Sequence, residues 1–281
     1  MVAYERFAAF YDVVMDDPGP RAVRVDAAIG RYRPDAATLL ELGCGTGSIL
    51  ARLTTTATLT GLDRSPEMLA ICAAKVPGAR LVEGDMRSFD LGERFDVVAC
   101  VFDSVNHLLD VASWASLVEC VHRHLTDDGL FVFDVNSVGE LRRLGDDPPW
   151  VYDFDDGTAI IDVTFAEADG GLGLTDWDIR IFERVGATRF ELHHERIGEL
   201  ALPLARVREL VADRFELLEE VDEDGLPATD DSIKAYFALR RSGGPAGGGL
   251  TPLATVGPAD RRPGPRDGTR RRGSSPRTPP R

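Results

Sequence analysis

The chain has 281 residues, of which 43% are hydrophobic, enough for one large or two small domains with a buried core. It contains no apolar run of about 18 residues and no basic-then-apolar signal peptide, so we expect a cytoplasmic protein without a membrane partner. The net charge is −15 but is uneven, because residues 241–281 hold nine arginines against two aspartates and leave −22 on the first 240 residues. An acidic body repels phosphates, which argues against a nucleic-acid substrate.

The four cysteines show no paired spacing of the kind that binds zinc. Cys44, Cys72, Cys100 and Cys120 lie in apolar segments or in a glycine-rich loop. They are expected to be small buried thiols, and the sequence predicts no metal site.

A glycine-rich segment follows the first apolar strand. Residues 39–42 are apolar except for Glu41, the segment Gly43-Cys-Gly-Thr-Gly47 comes next, and residues 48–53 have the apolar spacing of a helix. Glycines at 43, 45 and 47 allow a sharp turn and let a ligand approach the main chain. Dinucleotide-binding enzymes also carry such loops, so this segment alone leaves the cofactor open.

The next two predicted strands also end in carboxylates. Residues 57–63 end in Asp63, which lies 22 positions beyond Glu41 and is placed to accept hydrogen bonds from ribose hydroxyls. Residues 79–83 lead into Gly84-Asp85-Met86. Three consecutive strands therefore bring an acidic side chain to their carboxyl ends.

These segments resemble the successive motifs of class I S-adenosylmethionine (AdoMet) dependent methyltransferases. Residues 95–103 and 125–134 continue the match in the family's order and spacing, and the resemblance covers about residues 4–145. It implies AdoMet as the cofactor. It also implies an α/β fold with a Rossmann-like, doubly wound, seven-stranded sheet whose last strand is antiparallel and whose faces both carry helices.

The resemblance assigns roles to individual residues. Tyr11 is expected to cover the methionine end of AdoMet, Met68 to pack on the adenine, Asp85 to accept from the adenine amino group and the Met86 N–H to reach a ring nitrogen. Simple packing for Tyr11 and Met68, and a surface turn at 84–86, are the alternatives. The full set of expected cofactor-binding residues is Tyr11, Glu41, Gly43, Gly45, Asp63, Met68, Asp85, Met86 and Val101.

The remaining elements follow from periodicity and turn residues. Helices are predicted at 4–14, 21–32, 67–75, 114–125 and 203–212, with Ser65 as an N-cap. Core strands are predicted at 95–101, 130–135, 215–223 and 232–240, with a turn at 127–129. Four strand-like runs separated by glycine turns predict antiparallel hairpins, at 150–154, 158–167, 172–184 and 188–199.

Four segments result from this pattern. Residues 1–146 form the AdoMet-binding core, 147–199 an inserted antiparallel β lid over the substrate region, and 200–240 the remainder of the core. Residues 241–281 are rich in Gly, Pro and Arg and are predicted to be disordered, because they cannot bury enough surface to offset their ordering entropy.

Two residues beyond the fourth strand are candidates for catalysis. Methyl transfer from a sulfonium is an in-line displacement that depends on positioning, and some acceptors also need a general base. His107 is the candidate base because imidazole titrates near neutral pH, and Asn106 is a candidate for orienting the acceptor. A packed, purely structural histidine is the alternative.

The sequence therefore predicts an AdoMet-dependent methyltransferase that modifies an N or O atom of a small-molecule acceptor, as a monomer or homodimer. An RNA or protein methyltransferase is one alternative, favoured by the basic tail and disfavoured by the acidic body. A non-catalytic AdoMet-binding protein is another. A nicotinamide-dependent oxidoreductase is disfavoured by Glu41 and by the carboxylate after the third strand.

Overall fold

The computed structural model describes residues 7–15 and 17–243, so the predicted tail lies outside the described residues from position 244 onward. Seven strands form one sheet in the order β10-β11-β5-β4-β1-β2-β3. Their ranges are β1 Thr38–Leu42, β2 Thr58–Asp63, β3 Arg80–Glu83, β4 Phe95–Cys100, β5 Leu125–Asn136, β10 Phe215–Val221 and β11 Lys234–Arg241. Strand β11 runs antiparallel to both of its neighbours, β10 and β5, as predicted for the last strand.

Helices cover both faces of this sheet. Their ranges are α1 Tyr11–Val14, α2 Gly19–Tyr32, α3 Pro66–Lys75, α4 Val111–His124, α5 Val138–Asp146 and α6 Leu204–Ala212. Successive side chains of a strand point to opposite faces, so Leu39 packs with α2 and α3 whereas Leu40 packs with α4 and α6. Both leucines are fully buried. The doubly wound α/β fold is confirmed.

A second sheet is inserted between α5 and α6. It contains β6 Trp150–Phe154, β7 Gly157–Ala168, β8 Leu172–Arg184 and β9 Phe190–Ala201, all antiparallel and in chain order. Alternate residues of β7, such as Ile161 and Val163, are buried, which is the period-2 pattern seen in the sequence. The four predicted hairpin strands are present, each within two residues of its predicted ends.

The N-terminal segment joins the inserted sheet to the glycine-rich loop. Phe7 packs in a cluster with Ile161 and Ile181, and its main-chain N–H donates to Glu195 Oε1 at 3.0 Å. Further along, Asp12 Oδ1 accepts from Thr46 Oγ1 at 2.7 Å. The segment from residue 7 to residue 15 thus contacts both the insertion and the core.

Three local predictions need correction. The helix predicted at 48–53 is only a 3-10 turn, Leu50–Arg52, because the chain becomes extended at Leu53. Residues 4–14 form a 3-10 turn at Phe7–Ala9 and the short α1 rather than one helix, with positions 4–6 outside the described residues. The turn predicted at 127–129 lies inside β5 as a bulge, where Asp128 has φ +59°.

Helix α5 was not predicted. Ser137 caps it by accepting the Glu140 N–H at 3.0 Å. Ser137 followed by Glu140 is the spacing of a capping box, so the sequence did carry a signal for this helix.

No helix among the described residues is long and apolar enough to cross a membrane.

Asp96, near the start of β4, is hydrogen-bonded to several neighbouring segments of the core. Its carboxylate accepts hydrogen bonds from Arg33, Ala37, Thr38 and Thr126 at 2.9–3.2 Å. Burial opposes its ionisation, but these donors outweigh burial and lower its pKa from 3.8 to about 2. A carboxyl group with a depressed pKa stabilises the fold above pH ~4 and loses that contribution as the pH falls toward 2.

Asp96→Asn is therefore expected to lower the free energy of unfolding by about 1–2 kcal/mol at pH 7. It should also flatten the decline of stability between pH 4 and 2. Urea unfolding across that range measures both effects. The control is Asp35→Asn, since Asp35 also pairs with Arg33 but its side chain is 74% exposed. Equal losses in the two variants would contradict the role given to Asp96.

Candidate active site

The glycine-rich loop after β1 has a backbone that only glycine adopts readily. Gly43, Gly45 and Gly47 have φ values of +65°, +51° and +75°. A Cβ atom on Gly43 would lie 2.9 Å from Ser104 Oγ, and one on Gly47 would lie 2.5 Å from Cys72 Sγ. Gly45 has open space beside it, so conformation alone requires glycine there.

A cavity of about 280 Å³ lies over this loop. It brings together five of the residues predicted to bind the cofactor, namely Tyr11, Glu41, Gly43, Gly45 and Val101, and is also lined by Phe102 and Ser104 from the turn after β4. The cavity therefore lies at the carboxyl edge of the parallel strands, where ligands bind in such sheets.

Glu41 presents an unsatisfied carboxyl oxygen in this cavity. The residue is 2% exposed, and its Oε2 atom is buried without a hydrogen-bond partner. Burial, together with the nearby Cys72 and Asp63, raises the pKa of its carboxyl group. A buried carboxyl of this kind is satisfied by a cationic or hydrogen-bond-donating ligand group, and the α-ammonium group of AdoMet is one.

Asp63 is held in a fixed orientation at the end of β2. Its Oδ2 atom accepts the Gly45 N–H at 2.8 Å and its Oδ1 atom accepts the Ser65 N–H at 2.9 Å. Each oxygen keeps a further lone pair, so the side chain can still accept from a ribose diol. Asp63 is therefore fixed to the glycine-rich loop, and its expected contact with the ribose stays a prediction.

Asp85, Met86 and Met68 are the residues expected to contact the adenine, and none of them lines this cavity. The carboxylate of Asp85 accepts from the guanidinium of Arg87, which lowers its pKa. The Met86 methyl group would lie 3.4 Å from a Cβ on Gly43, so Met86 is next to the loop. Met68 is 3% exposed and has its N–H bound to Ser65 Oγ, so it is mainly a packing residue of α3 in this structure.

Tyr11 covers one side of the cavity. Its ring packs edge-on against Phe7, with centroids 5.7 Å apart, and lies 6.3 Å from the ring of Phe102. Burial and the nearby Asp103 raise the pKa of its hydroxyl, which stays protonated and able to donate a hydrogen bond. The role expected for Tyr11 at the methionine end of the cofactor stays a prediction.

The turn after β4 is strained and held by buried charges. Phe102 and Asp103 both have positive φ values, +66° and +53°, which cost energy for residues with a side chain. The Asp103 N–H donates to Asp134 Oδ1 at 2.7 Å, and Lys234 Nζ donates to Asp103 Oδ1 at 2.6 Å. Burial opposes ionisation of Asp103, but Lys234 and Arg21 outweigh it and lower its pKa.

Asn106 has a structural role instead of the predicted contact with the acceptor. It is fully buried, and its Nδ2 group donates to the carbonyl oxygens of Asn136 and Leu200 at 3.2 and 3.1 Å. Its Oδ1 atom accepts the Asn136 N–H at 3.0 Å. Because both amide protons are bound to the main chain, the prediction that this amide orients an acceptor is corrected.

His107 lies one short turn beyond the cavity. It ends the 3-10 turn Ser104–His107, and Ser104 at the start of that turn lines the cavity. Its Nδ1 atom lies 3.3 Å from the carbonyl oxygen of Gly198 in β9, a pairing that favours the tautomer with the proton on Nδ1. Burial lowers the pKa of the imidazole below 6.5, so the ring is neutral at pH 7.

The other histidines have separate partners. His193 pairs with Glu183 and His194 with Asp178, so the two neighbours face different groups, as expected from their position on a strand. His124 is the last residue of α4, and its Nε2 atom accepts the Leu91 N–H at 3.2 Å.

Sequence reasoning missed several polar groups of the site. Asp103, Lys234 and Glu199 are buried together near His107, and none was singled out. The polar run after β4 was a signal for Asp103. Lys234 and Glu199 are separated from it by long stretches of chain, and no local pattern indicates the contact.

Comparison with known proteins identifies relatives of this chain. Residues 39–129 match the family described as a methyltransferase domain. A dTDP-3-amino-3,6-dideoxy-alpha-D-glucopyranose N,N-dimethyltransferase of Streptomyces fradiae is 39% identical over 132 residues, which are 45% of this chain and 52% of that protein. The chain thus spans about half the length of this relative. A putative methyltransferase of Bacillus subtilis is 28% identical over 85% of this chain and 97% of its own.

Solved structures share the fold. A S-adenosylmethionine-dependent methyltransferase of Clostridium acetobutylicum superposes with a TM-score of 0.71 at 23% identity, over 85% of this chain and 99% of that chain. A sugar N-methyltransferase of a Streptoalloteichus species gives a TM-score of 0.68 at 24% identity, over 86% and 94%. These findings confirm the resemblance drawn from the sequence: residues 39–129 match a methyltransferase domain, and the whole fold is shared with solved methyltransferase structures.

Proposed function

We propose that this protein transfers a methyl group from AdoMet to an amino nitrogen of a small-molecule acceptor. The observation that carries the proposal is His107, which lies one 3-10 turn beyond the cofactor cavity, pairs through Nδ1 with the Gly198 carbonyl oxygen and has its pKa lowered by burial. The names of relatives support an amine acceptor, since the Streptomyces fradiae protein dimethylates a nucleotide-linked amino sugar.

The residues of the cavity have complementary roles toward the cofactor. Glu41 receives the ammonium group, Asp63 the ribose hydroxyls, and Asp85 with the Met86 N–H the adenine edge. Bound AdoMet supplies an electrophilic methyl group on its sulfonium sulfur. Tyr11 covers the methionine end and keeps water out of the cavity.

The proton balance favours an amine over a hydroxyl acceptor. An aliphatic amine enters mostly as an ammonium ion with a pKa near that of lysine, about 10.4, and must lose one proton before its nitrogen can attack. A neutral imidazole can accept that proton. An alcohol is a far weaker acid, and a base whose pKa lies below the ordinary 6.5 is poorly matched to it.

The remaining expectations are part of the same proposal. The −22 charge on residues 1–240 supports a small acceptor over a nucleic acid. All four cysteines are buried and free, which supports a cytoplasmic setting. We infer a monomer or a homodimer, with the inserted sheet acting as a lid over the acceptor.

Cofactor binding gives the first test. Asp63→Ala and Asp85→Ala are each expected to weaken AdoMet binding about tenfold or more, because each removes a charge-assisted hydrogen bond. Asp90→Ala is the matched control, since Asp90 is exposed and follows the same strand region. Calorimetric titration measures the three dissociation constants, and unchanged affinity in both site variants would contradict the assignment.

The role of His107 gives a second test. His107→Gln is expected to lower kcat by about a hundredfold or more with an unchanged AdoMet dissociation constant, because general-base catalysis typically contributes that much. In the unmodified protein, activity should hold at pH 6.5 and fall only at lower pH, since the imidazole must be neutral and its pKa is lowered.

His122→Gln is the control for this substitution. Burial also lowers the pKa of His122, but its ring binds the Ser242 carbonyl at 3.1 Å. A His107→Gln variant as active as the His122→Gln variant would refute the proposed base.

A further inference from the structure

A buried carboxyl group of the inserted sheet lies beside His107. Glu199 follows Gly198 near the end of β9 and is 3% exposed. One carboxyl oxygen of Glu199, one carboxyl oxygen of Asp103 and one ring nitrogen of His107 all lie within 4.8 Å of one another. Glu199 of the inserted sheet therefore converges with two titratable side chains of the turn after β4, Asp103 and His107.

The spacing of these atoms suits a hydrogen-bonded bridge. Three atoms no more than 4.8 Å apart share a point within about 2.8 Å of each, which is an ordinary hydrogen-bond distance. A water molecule or the acceptor nitrogen at that point connects Glu199 with His107. Lys234 Nζ lies 2.6 Å from Asp103 Oδ1 and supplies the cation that Asp103 needs, so the cluster does not require a metal ion.

A chain of hydrogen bonds fixes Glu199 in this position. Asn136 Nδ2 donates to Glu199 Oε2 at 3.1 Å, and Lys234 Nζ donates to Asn136 Oδ1 at 2.6 Å. The opposite strand contributes Thr175, which pairs with Glu199 in the sheet register and is also buried. The carboxyl group is thus directed toward the core and not toward solvent.

The charges that face Glu199 favour its protonated form. Burial and the negative charge of Asp103 raise its pKa to about 8, Glu140 acts in the same direction, and Lys234 opposes them. Asn136 favours the ionised form by donating to it. The group therefore changes charge in a range where the enzyme can work.

The charges that face His107 act on its ring in both directions. Burial lowers its pKa, as does Arg64, whereas Asp103, Asp63 and the Gly198 carbonyl raise it. An ionised Glu199 within 4.8 Å adds a further negative charge, which stabilises an imidazolium.

We propose that Glu199 is a positioning residue for His107 and that its carboxylate shares the proton that His107 removes from the acceptor. The inference rests on the proposed amine methylation. The N–H bond of the acceptor ammonium breaks, its electron pair stays on nitrogen, and the proton bonds to a ring nitrogen of His107. The carboxylate of Glu199 then stabilises the imidazolium or takes the proton, so no oxidant or reductant is involved.

Coupling between the two groups can be measured without any substrate. The full chain, with 15N-labelled histidine, is titrated between pH 5 and 9.5 by NMR, and the His107 signals are assigned by their loss in His107→Gln. We expect two inflections in the His107 shifts, one below pH 6.5 from its own protonation and one near pH 8 from Glu199.

The variants decide the origin of the second inflection. It should disappear in Glu199→Gln, move to another pH in Glu199→Asp, and stay in Glu191→Gln, which makes the same change at an exposed position of β9. A single inflection in the unmodified protein, or a second one that persists in Glu199→Gln, would overturn the coupling. If Glu199→Gln does not fold, an inflection at the same pH in Glu199→Asp overturns it.

Kinetics test the functional part of the inference. The ratio of kcat in the unmodified protein to kcat in Glu199→Gln should be near one at pH 6.5 and grow to about tenfold at pH 9, because only the ionised carboxylate assists His107. Using one acceptor for both proteins cancels the acceptor's own titration. A ratio independent of pH would leave Glu199 a structural residue and overturn the proposal. If no methyl transfer is found at all, the proposed function fails, while the NMR result still reports on the coupling.

Discussion

The strained turn at Phe102–Asp103 depends on one buried ion pair, and the position of His107 depends on that turn. Lys234, the first residue of β11, bonds Asp103 from across the sheet, and Asp134 in β5 binds the Asp103 N–H. Arg21 stacks over the Phe102 ring at 4.0 Å. Removing one partner of a buried ion pair leaves an uncompensated charge, which typically costs about 3–5 kcal/mol. The antiparallel strand that closes the fold therefore also supports the turn that carries His107.

The site is assembled from three parts of the chain that could not form it separately. The parallel strands bring Glu41, Asp63 and the glycine-rich loop to one edge of the sheet. The inserted sheet brings Gly198 and Glu199 to His107. The N-terminal segment places Tyr11 over the cavity and is fastened to the loop through Asp12, whose carboxylate also bonds Lys75 Nζ at 2.6 Å. The residues proposed for cofactor binding and for acceptor activation therefore lie where these three parts touch.

The strand ends and the glycine-rich loop were predictable from the sequence because their signals are local. An apolar strand, an acidic end and a glycine-rich turn lie within about ten residues of one another, and parallel strands end at a common edge. The inserted strands were equally predictable, because the alternation of apolar and polar residues and the glycine turns are short-range features. The helix expected after Gly47 was wrong because apolar spacing alone does not make a helix when the chain turns extended at Leu53.

The polar contacts around His107 were less predictable because they join distant parts of the chain. Lys234 and Asp103 are 131 positions apart, and no pattern near either residue indicates their pairing. Asn106 was misread for a related reason: an amide beside a candidate base has the chemistry to bind a ligand, but its protons go to the main-chain oxygens of Asn136 and Leu200. The sequence shows which functional group each side chain carries, whereas the fold determines which of these groups already have hydrogen-bond partners.

The most direct measurement is mass spectrometry of the products formed with AdoMet that carries a trideuterated methyl group. The acceptors are a matched pair of nucleotide-linked sugars that differ only in having an amino or a hydroxyl group at the same carbon. The account predicts labelled methyl on the nitrogen of the amino sugar and none on the hydroxyl sugar. Labelled methyl on the hydroxyl oxygen, or no transfer to the amine from a protein that binds AdoMet, would contradict it.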